Sequence, residues 1–300
     1  LIALYTFAGY RLLPAFQQIY SAITQLRFVG PSLNAMHDDM KNLEPKEVQK
    51  VINNITLNKA ITLKDLYYQY PNTSRTTVKN INLIIPANST VGIVGSTGSG
   101  KTTIVDIILG LLQAQKGNLK VDDNIIDKNN SVAWQRSIGY VPQEIFLADD
   151  TLAANIAFGV EKKDINQQHV ERAAKIANIH DFAINDLPQQ YQTNVGERGV
   201  RLSGGERQRI GIARALYRDP KVLILDEATS ALDNLTEEAV MKEIHNLGNT
   251  KTVIMIAHRL STVKQSDIIF LLERGNLKAQ GTYEELIKSS DQFRANVSKS

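Results

Sequence analysis

Residues 95–102 combine the chemical groups that bind phosphate. They are Gly-Ser-Thr-Gly-Ser-Gly-Lys-Thr and match the P-loop pattern GxxxxGK followed by Ser or Thr. The glycines permit the sharp turn that aims successive backbone N–H groups at a phosphate, and the dipole of a following helix favours the anion. Lys101 is expected to reach the β- and γ-phosphates of a nucleotide, and the Thr102 hydroxyl to bind Mg²⁺. An apolar strand precedes the loop, and a helix is predicted after it, beginning near Lys101 and covering residues 103–112.

Two adjacent carboxylates follow the apolar residues 222–225. Such a run is typical of a buried parallel strand, and strands of this kind end at the active-site edge of a sheet. Asp226 is therefore expected to hold Mg²⁺, usually through water, and Glu227 to position and polarise an attacking water molecule. The structural alternative is an acidic cap on a strand, which the P-loop upstream disfavours.

The composition limits the kinds of site that the chain can carry. Its 300 residues, 43% hydrophobic and 22% charged, suffice for one large domain with an extension or for two modest domains. A net charge of +3 is too even a balance to indicate nucleic acid or an anionic membrane as the partner. The absence of cysteine excludes disulfides and cysteine-ligated metals, and it is compatible with an intracellular compartment.

The N-terminal residues 1–10 are almost entirely apolar, and a charged residue and Pro14 interrupt the run soon after. Spanning a bilayer takes roughly 20 apolar residues, so this run is too short by itself. From Ile19 onward, apolar residues recur at steps of three and four, which predicts a helix bent at Gly30 and Pro31. Two interpretations stay open: a soluble amphipathic helix packed on its own domain and, preferred, the cytosolic end of a transmembrane helix.

Four further short motifs stand in one fixed order along the chain. They are Tyr-Val-Pro-Gln at 140–143, Leu-Ser-Gly-Gly-Glu-Arg-Gln at 202–208, Ser-Ala-Leu-Asp at 230–233 and Ala-His-Arg at 257–259. With the P-loop and the paired carboxylates, they resemble the Q-loop, signature motif, D-loop and H-loop of the nucleotide-binding domain of ATP-binding cassette (ABC) transporters. The resemblance covers the chain from about residue 55 onward, and no catalytic position departs from the family pattern.

The resemblance implies a set of site residues for ATP and Mg²⁺. The residues implied in hydrolysis are Glu227, His258, Gln143 and Lys101. Those implied in holding Mg²⁺ are Thr102, Gln143 and Asp226. Tyr70 takes the position of the aromatic residue that stacks on adenine. The remaining implied ATP contacts are Gly95, Ser96, Thr97, Gly98, Ser99, Gly100, Lys101, Thr102, Thr103, Ser203, Gly204 and Gly205.

The fold implied by the resemblance is α/β, of the P-loop NTPase class. It has a parallel-sheet core, an antiparallel β subdomain and a helical subdomain, preceded by a helical tail from a transmembrane domain. The predicted boundaries are residues 1–44 for the end of the last transmembrane helix with its cytosolic extension, 45–54 for a linker, and 55–300 for the ATP-binding domain. Strands are predicted from the apolar pattern at residues 61–68, 78–85, 90–94 and 222–226.

Residues 193–199, Thr-Asn-Val-Gly-Glu-Arg-Gly, resemble the X-loop of ABC exporters, with a solvated loop as the structural alternative. Residues 146–147 and 151–156 also look exporter-like, and residues 8–14 resemble the last transmembrane helix of bacterial flippases for lipid-linked oligosaccharides and polysaccharides. Together they imply an exporter ATPase on the cytoplasmic face of the inner (plasma) membrane. Lipid or lipid-linked glycan is the cargo implied by the narrower resemblance, and the sequence leaves the substrate itself open.

The family mechanism implies a second nucleotide-binding domain as partner, as in a homodimer. Two copies sandwich two ATP molecules head to tail, so that Ser203 and Gly205 of one copy face the γ-phosphate held by the other, and Asp233 lies at the contact. The segment 144–199 would pass the change to the membrane helices.

Two other functions stay open on the sequence. A soluble ABC-type ATPase acting on nucleic acid or ribosomes usually carries coiled-coil insertions or paired cassettes, and the sequence indicates neither. The even charge balance also argues against nucleic acid as a partner. An ATP-gated interaction module with vestigial catalysis is disfavoured because Glu227 and His258 are both present.

Overall fold

The computed structural model describes residues 2–41, 54–71, 73–196, 199–200, 202–257, 260–291 and 293–294. The chain divides into two compact units, Leu1–Lys50 and Val51–Ser300. The predicted linker at 45–54 lies outside the described residues except for its last residue, so the predicted domain boundaries stay predictions.

The first unit contains the helix α1, Ile2–Lys41, which continues through Pro14 and Pro31. Residues 30 and 31, where a bend is predicted, are both helical. Large apolar side chains along α1 are exposed, among them Phe7 at 63% and Phe28 at 84%. In the part of the chain that the structure describes, no helix has the length and hydropathy needed to cross a membrane.

The strands of the second unit form two sheets. In chain order they are β1 (Ala60–Tyr68), β2 (Val78–Pro86), β3 (Thr90–Gly95), β4 (Lys116–Val121), β5 (Asn124–Ile125), β6 (Ile138–Val141), β7 (Val222–Asp226), β8 (Thr252–Ile256), β9 (Ile268–Glu273) and β10 (Asn276–Gly281). A four-stranded antiparallel sheet has the order β2-β1-β4-β5. A six-stranded sheet has the order β10-β9-β3-β8-β7-β6 and is parallel except for the β9–β10 pair.

The helices of this unit lie mostly between β6 and β7 or between consecutive parallel strands. They are α2 (Lys101–Ile108), α3 (Ser131–Gln135), α4 (Leu152–Ile156), α5 (Gln167–Ile176), α6 (His180–Asn185), α7 (Gly204–Leu216), α8 (Asn234–Leu247) and α9 (Tyr283–Ser289). Helices α4 to α7 pack on one another and form the helical subdomain. The predicted combination of a parallel core, an antiparallel subdomain and a helical subdomain is thus confirmed.

The parallel sheet is buried on both faces, which explains its nearly continuous apolar strands. On β7, Val222 and Ile224 belong to the core shared with the antiparallel sheet and α2. Leu223 and Leu225 belong to the core shared with the helical subdomain, α8 and α9. Because successive side chains of a strand point to opposite faces, one short apolar run serves both cores.

The predicted strands are confirmed to within one residue at each end. The helix after the P-loop begins at Lys101, as predicted, but it ends at Ile108 and not at residue 112. Gly110 follows with φ +69°, a left-handed conformation that ends a helix and favours glycine. The apolar run Leu111-Leu112 continues the helical pattern in sequence but not in structure.

Candidate functional site

The carboxyl ends of the parallel strands β3, β8, β7 and β6 meet at one edge of the sheet. The P-loop leaves β3 at this edge, and Asp226 and Glu227 leave β7. Gln143 lies two residues beyond the end of β6. Because the strands are parallel, residues far apart in sequence converge here, as ligand sites in open α/β sheets do.

The P-loop turns tightly between β3 and α2, at two positions that require glycine. A Cβ on Gly95 would lie 2.3 Å from the carbonyl oxygen of Leu272, which is impossible for any other residue without movement of the backbone. Gly100 caps α2 with φ +104°. The unpaired N–H groups at the start of α2 and the helix dipole therefore face the loop, an arrangement suited to an anion.

Lys101 is the first residue of α2 and is only 6% exposed. Its ammonium donates to the carbonyl oxygens of Gly95, at 2.8 Å, and Ser96, at 3.1 Å. Burial lowers the pKa of Lys101, while the carboxylates of Glu227 and Asp226 act in the opposite direction. The buried cation thus lies within electrostatic reach of both carboxylates at the end of β7.

Tyr70 lies beside the N-terminal turn of α2. Its hydroxyl is 3.2 Å from Oγ1 of Thr103, and its ring packs edge-on against Tyr68 with 5.1 Å between the centroids. At 37% exposure the ring keeps an accessible face. This location next to the P-loop is compatible with the predicted adenine-stacking role, whereas Tyr67 and Tyr68 belong to β1, as the sequence predicts.

Glu227 leaves β7 in a left-handed conformation with φ +51°, which is uncommon for a residue with a Cβ. Its backbone N–H donates to the carbonyl of Ile256, at 3.1 Å, which ties the turn to the end of β8. Its carboxylate accepts a 3.0 Å hydrogen bond from Nε2 of Gln143. Backbone strain of this kind clusters at functional sites, where the surrounding structure maintains it.

Asp226 is 6% exposed at the end of β7. Burial raises the pKa of its carboxyl, and the neighbouring Glu227 raises it further. The Tyr140 hydroxyl lies 3.5 Å from its Oδ2, and burial together with Asp226 raises the pKa of Tyr140 to about 12. The site therefore contains two crowded carboxylates and one buried cation, Lys101.

The donor set at this edge fits a hard divalent cation. Asp226 supplies a carboxylate, Thr102 an exposed hydroxyl at the start of α2, and Gln143 an exposed amide, and oxygen atoms are the ligands that Mg²⁺ prefers. A positive ion would relieve the repulsion that raises the pKa of Asp226. Among the described residues, no group of three or more His, Cys, Asp or Glu is arranged to hold a metal by protein side chains alone.

Ser203 caps the signature helix α7 in a capping box with Glu206. Oγ of Ser203 accepts from the Glu206 N–H at 3.2 Å, and the Glu206 carboxylate accepts from the Ser203 N–H at 2.7 Å. This capping box fixes the first turn of α7 at the signature motif. The positions of Gly204 and Gly205 face residues 231–232, because a Cβ there would lie 3.3–3.4 Å from Ala231 or Leu232.

Gln208 of the signature helix joins α7 to the loop after β7. Its Nε2 donates to Oγ of Ser230 at 3.0 Å, and its Oε1 accepts from the N–H of Ala231 at 2.9 Å. Asp233, at the end of this loop, caps α8 by accepting from the N–H and the hydroxyl of Thr236 at 3.0 and 2.8 Å. The loop is thereby anchored on the helical subdomain at one end and on α8 at the other.

The structure brings together most, but not all, of the residues predicted from the sequence. The P-loop, Asp226, Glu227 and Gln143 share the sheet edge described above, and Tyr70 lies beside the first turn of α2. Ser203, Gly204 and Gly205 instead lie against the loop at 231–232. His258 lies outside the described residues.

The X-loop segment is partly described, since residues 197 and 198 are outside the described residues. Residues 193–195 run alongside the start of α4: the Leu152 N–H donates to the carbonyl of Thr193 at 2.9 Å, and the Val195 N–H to that of Asp150 at 3.1 Å. Val195 is buried. This half of the segment is therefore attached to the helical subdomain, unlike a freely solvated loop.

Sequence reasoning assigned no role to Tyr140, Gln208 or Glu237, which all contact the predicted catalytic region. Tyr140 and Gln208 lie inside motifs that were recognised, so their position in those motifs was the available signal. Glu237 lies on α8 and accepts hydrogen bonds from Thr229 at 2.8 Å and Thr262 at 3.1 Å. No local pattern in the sequence indicates these long-range contacts.

Comparisons with a family model, with curated proteins and with solved structures all match this chain to ABC proteins. The family model described as "ABC transporter" matches residues 78–230. Mouse "ATP-binding cassette sub-family B member 10, mitochondrial" is 41% identical over 239 residues, which are 79% of this chain and 33% of that protein. An "ATP-dependent lipid A-core flippase" of Saccharophagus degradans is 43% identical over 230 residues, or 77% of this chain and 39% of that protein. The chain thus spans between a third and two fifths of the length of these relatives.

Among solved structures, a bacterial Atm1-family ABC exporter with ATP bound is similar to this chain with a TM-score of 0.78 and 31% sequence identity. The match covers 98% of this chain and 50% of the exporter chain.

Proposed function

This chain belongs to the ABC transporter family, whose nucleotide-binding domains are ATPases, and we propose that it is the ATPase domain that drives a membrane exporter. The observation that carries the proposal is the convergence of the P-loop, Asp226, Glu227 and Gln143 at one sheet edge, with Gln143 bonded to Glu227 at 3.0 Å. A phosphate cradle and a carboxylate suited to orienting water at the same edge are what hydrolysis of a phosphoanhydride requires.

The P-loop N–H groups and Lys101 bind the β- and γ-phosphates of ATP, and the Tyr70 ring stacks on the adenine. Glu227 orients the attacking water and accepts its proton, while Gln143 holds the Glu227 carboxylate in place. Thr102, Gln143 and Asp226 would hold Mg²⁺, which supplies charge neutralisation to the phosphate oxygens when it is bound. His258 contacts the γ-phosphate in this proposal, on the strength of the family resemblance.

Hydrolysis requires a second copy, since the signature motif acts across a dimer. The N-terminal turn of α7 carries Ser203, Gly204 and Gly205, whose N–H and hydroxyl groups suit an anion. They face the γ-phosphate held by the partner, so ATP stabilises the dimer and hydrolysis releases it. Asp233 lies at the contact between the two copies. The head-to-tail homodimer is supported by the complete set of motifs on one chain.

The dimer is tested by measuring ATPase rate against the concentration of the chain. We expect the rate to rise faster than linearly at low concentration, because assembly precedes turnover. Glu227→Gln with ATP and Mg²⁺ should in addition accumulate a dimer in size-exclusion chromatography with light scattering. A rate strictly proportional to concentration, with a monomer at all ATP concentrations, would overturn the shared site.

The exporter function places this domain on the cytoplasmic face of the inner (plasma) membrane, joined to transmembrane helices. The exposed apolar side chains of α1 support a membrane-proximal position for residues 1–44, with 45–54 as linker and 55–300 as ATPase. Segment 144–199 transmits the change to those helices. Relatives named as lipid A-core flippases support a lipid or lipid-linked glycan as cargo. The transporter carrying this domain, in liposomes, should show ATPase stimulation by such glycolipids, abolished by Glu227→Gln.

A further inference from the structure

The carboxylate of Glu237, in the first turn of α8, joins two loops that leave neighbouring strands of the central sheet. Its Oε1 accepts from Oγ1 of Thr229 at 2.8 Å and from Oγ1 of Thr262 at 3.1 Å. Thr229 follows Glu227 by two residues on the loop after β7, and Thr262 lies on the segment after β8. One oxygen atom thereby links the carboxylate-bearing loop to the adjoining segment.

The loop after β7 is not packed on every side. A pocket of about 80 Å³, half open to solvent, lies beside it, and its lining includes Glu227, Thr229, Thr262 and, from α8, Met241. Packing alone does not fix the loop on this side, so hydrogen bonds contribute to its position. The left-handed conformation of Glu227 also costs free energy that the surroundings must offset.

Besides the bonds of Glu227 to Gln143 and Ile256, side chains from the two flanking helices hold the loop around this pocket. Gln208 anchors Ser230 and Ala231 from the side of α7. Glu237, on α8, accepts a hydrogen bond from Thr229. Unlike Gln208, it also accepts one from Thr262, on the segment after β8. Thr229 is 7% exposed, so the bond to Glu237 is shielded from competing water and resists displacement.

We propose that Glu237 is a positioning residue that fixes Glu227 relative to the segment after β8 through the shared bonds to Thr229 and Thr262. This inference rests on the proposed function, in which Glu227 orients the attacking water. A displacement of about 1 Å of such a group costs up to about 10²-fold in rate. Glu237 contacts neither nucleotide nor water in this role, so it should change turnover and leave ATP affinity unchanged.

The chemistry of the three side chains provides matched variants. Glu237→Leu removes the acceptor, whereas Glu237→Gln keeps a carbonyl oxygen in the same place and removes only the charge. Thr229→Val and Thr262→Val each remove one donor while preserving the branched shape. Glu238→Leu, on the exposed side of the same helical turn, is the control for substitution of a glutamate on α8.

The test is steady-state ATP hydrolysis by the chain, with kcat and KM separated and the thermal unfolding midpoint recorded for each variant. We expect Glu237→Leu to lower kcat about 10-fold with KM within about twofold, and Glu237→Gln to restore most of the loss. Thr229→Val and Thr262→Val should each lower kcat in the native background and have no further effect in the Glu237→Leu background. Glu238→Leu should match the native chain.

Several outcomes would overturn the inference. They are a native kcat in Glu237→Leu, a loss that Glu237→Gln does not reduce, and fully additive effects of the threonine variants with Glu237→Leu. If Glu237→Leu does not fold, the Thr229→Val and Thr262→Val pair decides in its place, since independent additive effects would contradict a shared acceptor. Glu227→Gln is measured in parallel: unchanged turnover there refutes the proposed function, whereas a large loss there with a native Glu237→Leu refutes only the positioning role.

Discussion

The P-loop and the loop after β7 meet at the same edge of the sheet but are built in opposite ways. The P-loop takes its form mainly from consecutive residues, namely the start of α2 and the bonds from Lys101 to carbonyls five and six residues earlier. Its main contact with a distant element is the close approach of Gly95 to the carbonyl of Leu272. The loop after β7 is held by side chains from elsewhere, 84 residues away for Gln143 and 22 for the Gln208–Ser230 bond.

This difference separates binding from catalysis along the chain. A phosphate cradle made of backbone N–H groups is formed as soon as its own segment folds. The position of Glu227, by contrast, depends on β6, α7 and α8 all being in place. Changes in distant elements are therefore expected to alter turnover at the loop after β7 while leaving nucleotide affinity at the P-loop intact.

The largest expected effect comes from Glu227→Gln, which keeps the shape of the side chain and removes the base. We expect kcat to fall about 10²-fold or more while the ATP dissociation constant stays within about threefold. Steady-state kinetics and equilibrium binding of a fluorescent ATP analogue measure the two quantities. Unchanged turnover would contradict the role assigned to Glu227. A parallel loss of ATP affinity would contradict the separation of nucleotide binding from turnover between the two loops.

Lys101→Ala tests the P-loop, the other of the two loops compared. Removing the buried ammonium that is proposed to bind the phosphates should raise the ATP dissociation constant about 10- to 100-fold, since a charge-assisted hydrogen bond would be lost. Lys242→Ala, an exposed lysine on α8, is the matched control in the same binding assay. Native affinity in Lys101→Ala would mean that the loop binds without its lysine.

Gln208→Met sharpens the contrast by loosening the catalytic loop from a distance. The change nearly conserves volume and removes both hydrogen bonds, leaving the N–H of Ala231 without its acceptor. We expect a fall in kcat of about fivefold, with faster hydrogen exchange in residues 228–232 and an unchanged ATP affinity. Gln168→Met, on the exposed face of α5, serves as the control; equal effects from both substitutions would remove the role of Gln208.

The smallest effect is expected at Asp122, which belongs to neither loop. Its carboxylate accepts backbone N–H groups of Asn58, Lys59 and Ala60 at 3.0, 2.7 and 3.0 Å, where the chain enters β1. Asp122→Asn removes one of the two acceptor oxygens and should lower the unfolding free energy by about 1 kcal/mol or less, because solvent screens this site. Thermal unfolding should detect the loss, while turnover and ATP affinity remain native.

The difference in unfolding free energy between the native chain and Asp122→Asn should change with pH in a defined direction. Although burial opposes it, the backbone N–H donors hold the pKa of Asp122 below its ordinary value of 3.8. The carboxylate therefore stabilises the fold above that pH, and the stabilisation is lost as the pH falls through the lowered pKa. The native chain and Asp122→Asn should converge in stability in acid. Asp123→Asn, whose carboxylate is exposed, is the control; a gap that widens in acid would contradict the sign.

The sequence predicted features that neighbouring residues specify better than features that depend on distant residues. The P-loop and the strands were predicted because each is specified by neighbouring residues. The end of α2 was not, since Leu111 and Leu112 continue an apolar pattern that Gly110 breaks with a left-handed turn. Periodicity reports burial and not the conformation of a single glycine. The exposure of the large apolar side chains of α1 was likewise not predicted from the apolar pattern of the sequence.

By itself, the sequence determined the P-loop between a strand and a helix, where the paired carboxylates end a buried strand, and the family to which the chain belongs. These features depend on residue type and close spacing, which sequence displays directly. Tertiary structure alone decided that Gln143 bonds Glu227, that Gln208 joins the signature helix to the loop after β7, and that Glu237 serves both Thr229 and Thr262. Those contacts arise because parallel strands bring their carboxyl ends to one edge and helices from both sides then pack around it.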